Sequence, residues 1–276
     1  MAAGGLVVSG QTGDISCFHC HSKEVNDFQE SIHFNKDISC TDCHGGDIKI
    51  SGEVVSINVM HTNFTGVPSR VNMTEFCSRC HAEVTNTYEE SIHWQRLKEG
   101  RVEAAACTDC HGTHNILSSK DPDSQTHSEN IPLMCASCHE NQTKMQAWYY
   151  GISTDRFDTY KKSYHYKAYI SGGEVLATCS DCHENHDTRQ ESDPKSAVNQ
   201  ANLPATCGKP DCHQGANNAF IYGGKVHEGQ SVYLGFIDAK KLVTYFYIIM
   251  ILFEITFTIG LIILGITSNF ELRRRH

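Results

Sequence analysis

No cysteine in this chain of 276 residues stands alone. All 14 fall in pairs, and a histidine follows each pair at once, which is not the spacing of a disulfide framework. Long blocks of like charge are also missing. The formal net charge is −9, so the sequence is mildly acidic and nothing in it suggests a nucleic-acid partner. The N-terminus, Met1-Ala-Ala-Gly-Gly-Leu-Val-Val, has neither a basic region nor a long apolar core and does not read as an export signal. The length suits one large domain or two ordinary ones.

What is present is one motif, repeated. Six pairs read Cys-x-x-Cys-His: Cys17/Cys20/His21, Cys40/Cys43/His44, Cys77/Cys80/His81, Cys107/Cys110/His111, Cys135/Cys138/His139 and Cys179/Cys182/His183. The seventh is stretched to Cys207-Gly-Lys-Pro-Asp-Cys212-His213, with two extra residues that must bulge out beside Pro210. Two thiols add to the two vinyl groups of one haem, so their separation must match the porphyrin edge. The histidine that follows then binds the iron from the proximal side. Cys-x-x-Cys-His is the attachment signal of c-type haem. Structural zinc needs four ligands and gives no reason for a histidine after every pair, and seven pairs is an odd number. Redox Cys-x-x-Cys disulfides meet the same objection. Seven covalent c-type haems are expected.

Seven proximal histidines leave ten others, which internal repetition sorts. The segment from His21 to Ser31-Ile-His33 aligns without a gap on the one from His81 to Ser91-Ile-His93, and a third copy ends in Ser163-Tyr-His165. These stretches read as short helices that present a histidine to an iron. A degraded fourth copy ends at His227. A second class follows the motif: His114 and His186 each lie three residues past a proximal histidine and 21 residues before the next site. The first repeat has Gly46 and Asp47 where that histidine would be and offers His61 instead. The unit is two haems with two spare histidines, three times over, then a single haem. His33, His61, His93, His114, His165, His186 and His227 are seven distal candidates for seven irons. His127 is a reserve, with Asn199 at its place in the repeat, while His19 and His276 are left over. Which histidine serves which haem is not readable.

An iron with two histidines has no free site for substrate and only gains and loses an electron. Methionine ligation would raise the potential, but none of Met60, Met73, Met134 and Met145 recurs in the repeat, so low-potential bis-histidine haems are expected. Seven haems on so little polypeptide must lie close together, so the expected fold is mainly α with extensive loops, packed around haems. Residues 1–235 form that domain in this reading, and 236–276 the anchor. The aromatic spacer with Trp148, Tyr149, Tyr150, Tyr160, Tyr164, Tyr166 and Tyr169 is expected to cover haem faces and tie down a longer loop.

The 26 residues from Leu242 to Thr267 are rich in Ile, Leu, Phe and Val, enough for one transmembrane helix. Arg273, Arg274 and Arg275 after it, against Lys240 and Lys241 before it, put the C-terminus in the cytoplasm. Attachment of haem outside the cytoplasm agrees, and the haem domain then faces the periplasm or cell exterior. Export demands a signal, so the chain is expected to be a trimmed form. Glu254 sits mid-span, where carboxyls usually face a bundle interior, so the helix is expected to pack against another membrane subunit there. Asn63, Asn72 and Asn141 lie in Asn-x-Thr glycosylation sequences, about as many as chance supplies.

The stretches Cys107-Thr-Asp-Cys-His-Gly-Thr-His-Asn-Ile and Asp193-Pro-Lys-Ser-Ala-Val-Asn-Gln-Ala-Asn-Leu-Pro-Ala-Thr-Cys-Gly resemble the multihaem cytochrome c family, which includes membrane-anchored quinol-linked cytochromes. Seven haems with one stretched loop also resemble the heptahaem cytochromes of methanogenic archaea that are linked to the Rnf membrane complex. The resemblance implies electron transfer between a membrane redox complex and a membrane carrier or extracellular acceptor, without enzymatic turnover. A multihaem reductase with one open-site haem and a quinol-oxidising subunit are the alternatives. The haem to watch for an open site is the seventh, with His227.

Overall fold

The computed structural model describes residues 17, 20–36, 38–46, 62–146, 153–173, 177–222, 226–227, 233–234 and 237–274. The architecture is mainly helical, as expected. Two residues on each side form an antiparallel ribbon, Tyr233–Leu234 against Ile237–Asp238. By contacts the chain divides into Met1–Tyr222 and Gly223–His276.

In the first unit three kinds of helix recur in step with the sequence repeat. The odd-numbered motifs lie at or near the ends of helices. The third lies in Met73–Glu89, the fifth closes Ile131–His139 and the seventh begins at the end of Leu203–Cys207. Pro132 and Pro204 sit in first turns, where proline's missing N–H costs nothing. His81 breaks its helix at φ −109°, ψ 44°, and His21 has nearly the same backbone, φ −107°, ψ 49°. The motif histidine is therefore a joint between two helical directions.

The even-numbered motifs are themselves five-residue helices: Cys40–His44, Cys107–His111 and Cys179–His183. Their third residue is always aspartate. Its carboxylate accepts the backbone N–H three residues back, from Ser39 at 2.7 Å, Ala106 at 2.6 Å and Thr178 at 2.7 Å. These bonds satisfy a donor that each helix start would otherwise leave free.

The third kind presents the histidines of the Ser-x-His class. Ser91 Oγ accepts from Trp94 N and Ser163 Oγ from Tyr166 N, both at 3.2 Å, capping Ile92–Lys98 and Tyr164–Ile170. Ser31 Oγ accepts from His33 N at 3.1 Å. Aromatic pairs brace all three copies: Phe28–Phe34, Tyr88–Trp94 and Tyr160–Tyr166, with ring centres 5.8, 6.1 and 5.4 Å apart. Tyr88 and Tyr160 also donate to the carbonyls of Ala105 and Ala177, two residues before the next motif. Tyr160 and Tyr166 thus belong to a repeated structural brace. Trp148, Tyr149 and Tyr150 lie outside the described residues.

Successive repeats are joined by backbone. Ile32 N donates to the Ile116 carbonyl at 2.9 Å, and Ile92 N donates to that of Thr188 at 2.8 Å. Each acceptor lies two residues past a second-class histidine. Arg189, almost fully buried, adds ion pairs to Glu90, Asp187 and Asp193 at the second of these joints. Among the described residues only eight hydrophobic side chains are buried, three of them alanine, against eight serines and threonines. So small a core cannot offset a chain entropy of about 1–2 kcal/mol per residue.

In the second unit the helix Ala239–Arg274 holds an apolar stretch, Lys241–Ile266, of mean hydropathy 2.5 and with none of its window buried. At about 1.5 Å per residue it exceeds the hydrocarbon thickness of about 30 Å. One candidate membrane-crossing helix near the C-terminus is what the sequence led us to expect.

Candidate haem sites

Five pairs of imidazoles face each other. His33 meets His81, His44 meets His114, His93 meets His139, His111 meets His186 and His165 meets His213, with ring centres 6.0, 6.1, 6.2, 6.0 and 6.0 Å apart. Each pair joins one motif histidine to one spare histidine. A metal held between two imidazoles at about 2 Å from each nitrogen, with about 1.1 Å more to each ring centre, sets the centres about 6.2 Å apart. The donor sets therefore fit an iron between the rings. Among the described residues no three His, Cys, Asp or Glu side chains converge as a zinc cage would need.

The repeat explains the pairing. His33, His93 and His165, the Ser-x-His class, each reach the first motif of the following repeat. His114 and His186 each reach back to the second motif of the preceding repeat. The backbone bonds from Ile32 to Ile116 and from Ile92 to Thr188 hold the two reaching segments against each other.

Burial favours the neutral, ligating form of these rings. It pushes His93 down to about 4, with His139 acting in the same sense. It also lowers His33, His111, His114 and His165, each helped by the imidazole opposite. His44 Nδ1 donates to the Gly66 carbonyl at 3.0 Å, which leaves its Nε2 to bind metal.

No disulfide joins any of the fourteen cysteines. The two thiols of a motif are not equally covered. The first cysteine is half-buried in all seven motifs, whereas the second is exposed in four of them, at Cys20, Cys43, Cys80 and Cys212. The reason is local geometry. In motif one Cys20 N donates to the Cys17 carbonyl at 3.2 Å, so the second thiol stands most of a turn past the first. Cys80 occupies the same place in the helix Met73–Glu89, just before the break at His81. A turn that lays the first thiol on the protein carries the second outward, and the few buried apolar side chains do not reach round to cover it. An exposed edge of this kind suits a thiol meant for a porphyrin vinyl group rather than for the protein core.

Through space the thiols follow one another in sequence order. Partial burial raises Cys43, and neighbouring Cys77 raises it further. A hydrogen bond between Cys77 and Cys107 raises the first thiol and lowers the second. Burial raises Cys110, with Cys138 among its neighbours. Cys135 and Cys179 repeat the Cys77–Cys107 bond, with the same two directions. Burial pushes Cys182 up to about 11, and Cys207 acts in the same sense. The thiols of motifs two to seven thus form one file.

The seventh motif folds with its stretched loop closed by His213 N donating to the Cys207 carbonyl at 2.9 Å. His165 stands opposite His213. His227 is half-buried in the second unit. His61, His19 and His276 lie outside the described residues. His127 Nδ1 accepts from Glu129 N at 3.4 Å, and Asn199 Oδ1 accepts from Ala201 N at 3.1 Å. The two side chains play the same turn-forming part.

The family model described as the NapC/NirT cytochrome c family, N-terminal region, matches residues 45–121. That span holds motifs three and four with His61, His93 and His114. No curated protein and no solved structure matches the chain. The facing imidazoles, the cysteine pairs and the family match over residues 45–121 are those of multihaem c-type cytochromes of electron transport, and one helix is a candidate to cross a membrane.

Proposed function

We propose that the chain conducts electrons through seven covalently held haems, mostly bis-histidine, between a membrane redox complex, Rnf-like in kind, and a membrane carrier or extracellular acceptor. The observation that carries this reading is the set of five imidazole pairs, each linking two repeats. When bound, haem iron supplies one-electron chemistry. The cysteine pairs would fix each ring, and His21, His44, His81, His111, His139, His183 and His213 would bind its iron. His33, His93, His114, His165 and His186 would supply a second histidine, and His61 and His227 would complete the set by number. Irons so held would have no position for substrate, which favours a conductor over a reductase. The file of thiols over motifs two to seven supports a path in which electrons would pass between neighbouring haems in chain order. The Lys241–Ile266 stretch anchors the chain as a single pass, with the haem unit on the outer face and the C-terminus in the cytoplasm.

Intact mass of the purified holoprotein, followed by reduction with a low-potential donor, tests the proposal. Seven added haem masses and reduction of all seven irons are expected. A lower count, or a fraction that stays oxidised for want of contact with the rest, would refute the continuous path.

A further inference from the structure

Neighbouring motifs meet through one recurring position. Two residues past the first cysteine lies Arg79 in motif three, Ser137 in motif five and Lys209 in motif seven. Arg79 Nη1 donates to the carbonyl of Asp42 in motif two at 3.2 Å. Lys209 Nζ donates to the carbonyl of Asp181 in motif six at 2.7 Å. The same cation-to-carbonyl clasp therefore joins motif two to three and motif six to seven. In motif five Ser137 Oγ turns back to the carbonyl of Met134 at 2.8 Å.

The last clasp has a second half. The residue after the histidine of an even motif is Gly45, Gly112 or Glu184, with φ, ψ of 66°, −162°; 81°, −175°; and 62°, 167°. This region of backbone space belongs essentially to glycine. At Gly45 a Cβ would stand 2.8 Å from the Asn63 carbonyl. Glu184 occupies the conformation nonetheless, and its carboxylate accepts Lys209 Nζ at 3.1 Å. The strained residue is the one that sets an anion against the cation of the stretched loop.

We infer that Lys209, held between the Asp181 carbonyl and the Glu184 carboxylate, is a positioning residue that biases the electron equilibrium between the sixth and seventh haem sites. The inference rests on reading both motifs as haem sites. Reduced iron carries one positive charge fewer than oxidised iron, so a nearby cation favours reduction and a nearby carboxylate opposes it.

A redox titration of the full-length holoprotein, followed by visible absorbance and EPR with haem content from intact mass, tests this. Lys209→Met is expected to lower the potential of one or two components while seven haems remain. Lys209→Arg is expected to restore wild-type potentials. Glu184→Gly is expected to move the same components upward, with a thermal midpoint no lower than wild type because the strain is relieved. A merely structural clasp would not give opposite signs. The inference is overturned if Lys209→Met leaves every potential unchanged, if the two variants shift potentials in the same direction, or if Lys209→Met loses a haem. Peptide mapping of the wild-type protein that found motif six or seven without haem would instead remove the underlying reading.

Discussion

At His93, burial and the facing His139 push the imidazole down to about 4, so the ring is held neutral and aimed at its partner. His93→Ala is expected to leave the iron of the fifth motif with one histidine. Low-temperature EPR should then show one high-spin component beside six low-spin ones. No new high-spin signal would mean that another residue ligates that iron. His127→Ala makes the contrast: it should leave the EPR spectrum unchanged and shift stability by less than about 0.5 kcal/mol in denaturant unfolding. The motif histidines, and the five spare ones that stand opposite five of them, could be picked out from spacing. The outward set of Cys20 and Cys80 could not, because the motif spells both thiols alike and only the turn between them decides which one the protein covers. The turn-forming role of His127 was half-visible in its alignment with Asn199. Its missing half was a backbone N–H, which no side-chain pattern records.

The helix that carries His93 depends on a fully buried serine at its start. Ser91→Ala removes the acceptor for Trp94 N, a loss of about 1 kcal/mol. For a unit of this size that is about 2–4 °C in thermal midpoint by circular dichroism. An unchanged midpoint would show that the aromatic pair Tyr88–Trp94 alone holds the helix. At this scale the sequence showed where the histidine-bearing helices fall, because serine and histidine recur at fixed offsets. It concealed the aspartate caps of the even motifs, since Asp42, Asp109 and Asp181 sit among haem-binding residues that draw attention first. It concealed the aromatic braces as well, because each pair spans six positions and becomes a contact only when the chain turns at the serine.

Over the whole chain, the repeat makes sense as a set of exchanges. The second and third repeats each receive one histidine from the repeat before, and the first and second each receive one from the repeat after, so no two-haem unit is complete by itself. Which histidine crosses to which repeat was not readable in the sequence, where the count of seven for seven is satisfied by any assignment. It is a tertiary property, written in the bonds from Ile32 to Ile116 and from Ile92 to Thr188. The membrane helix was plain from composition, but its neighbours were not. Glu254 lies on an exposed helix surface within the apolar stretch, where a charge at the bilayer centre costs about 2.5–3.5 kcal/mol. Glu254→Leu is therefore expected to abolish co-purification with a membrane subunit from detergent extracts while leaving the haem spectrum intact. Retained co-purification would place the contact elsewhere. The central claim, that two histidines close every iron and that five of those pairs are exchanged between motifs, is tested most directly by low-temperature EPR and visible spectra of the oxidised and reduced protein, with and without carbon monoxide or nitrite. Seven low-spin irons that ignore both probes are predicted. A high-spin iron that binds either one would contradict the claim and turn the conductor into an enzyme.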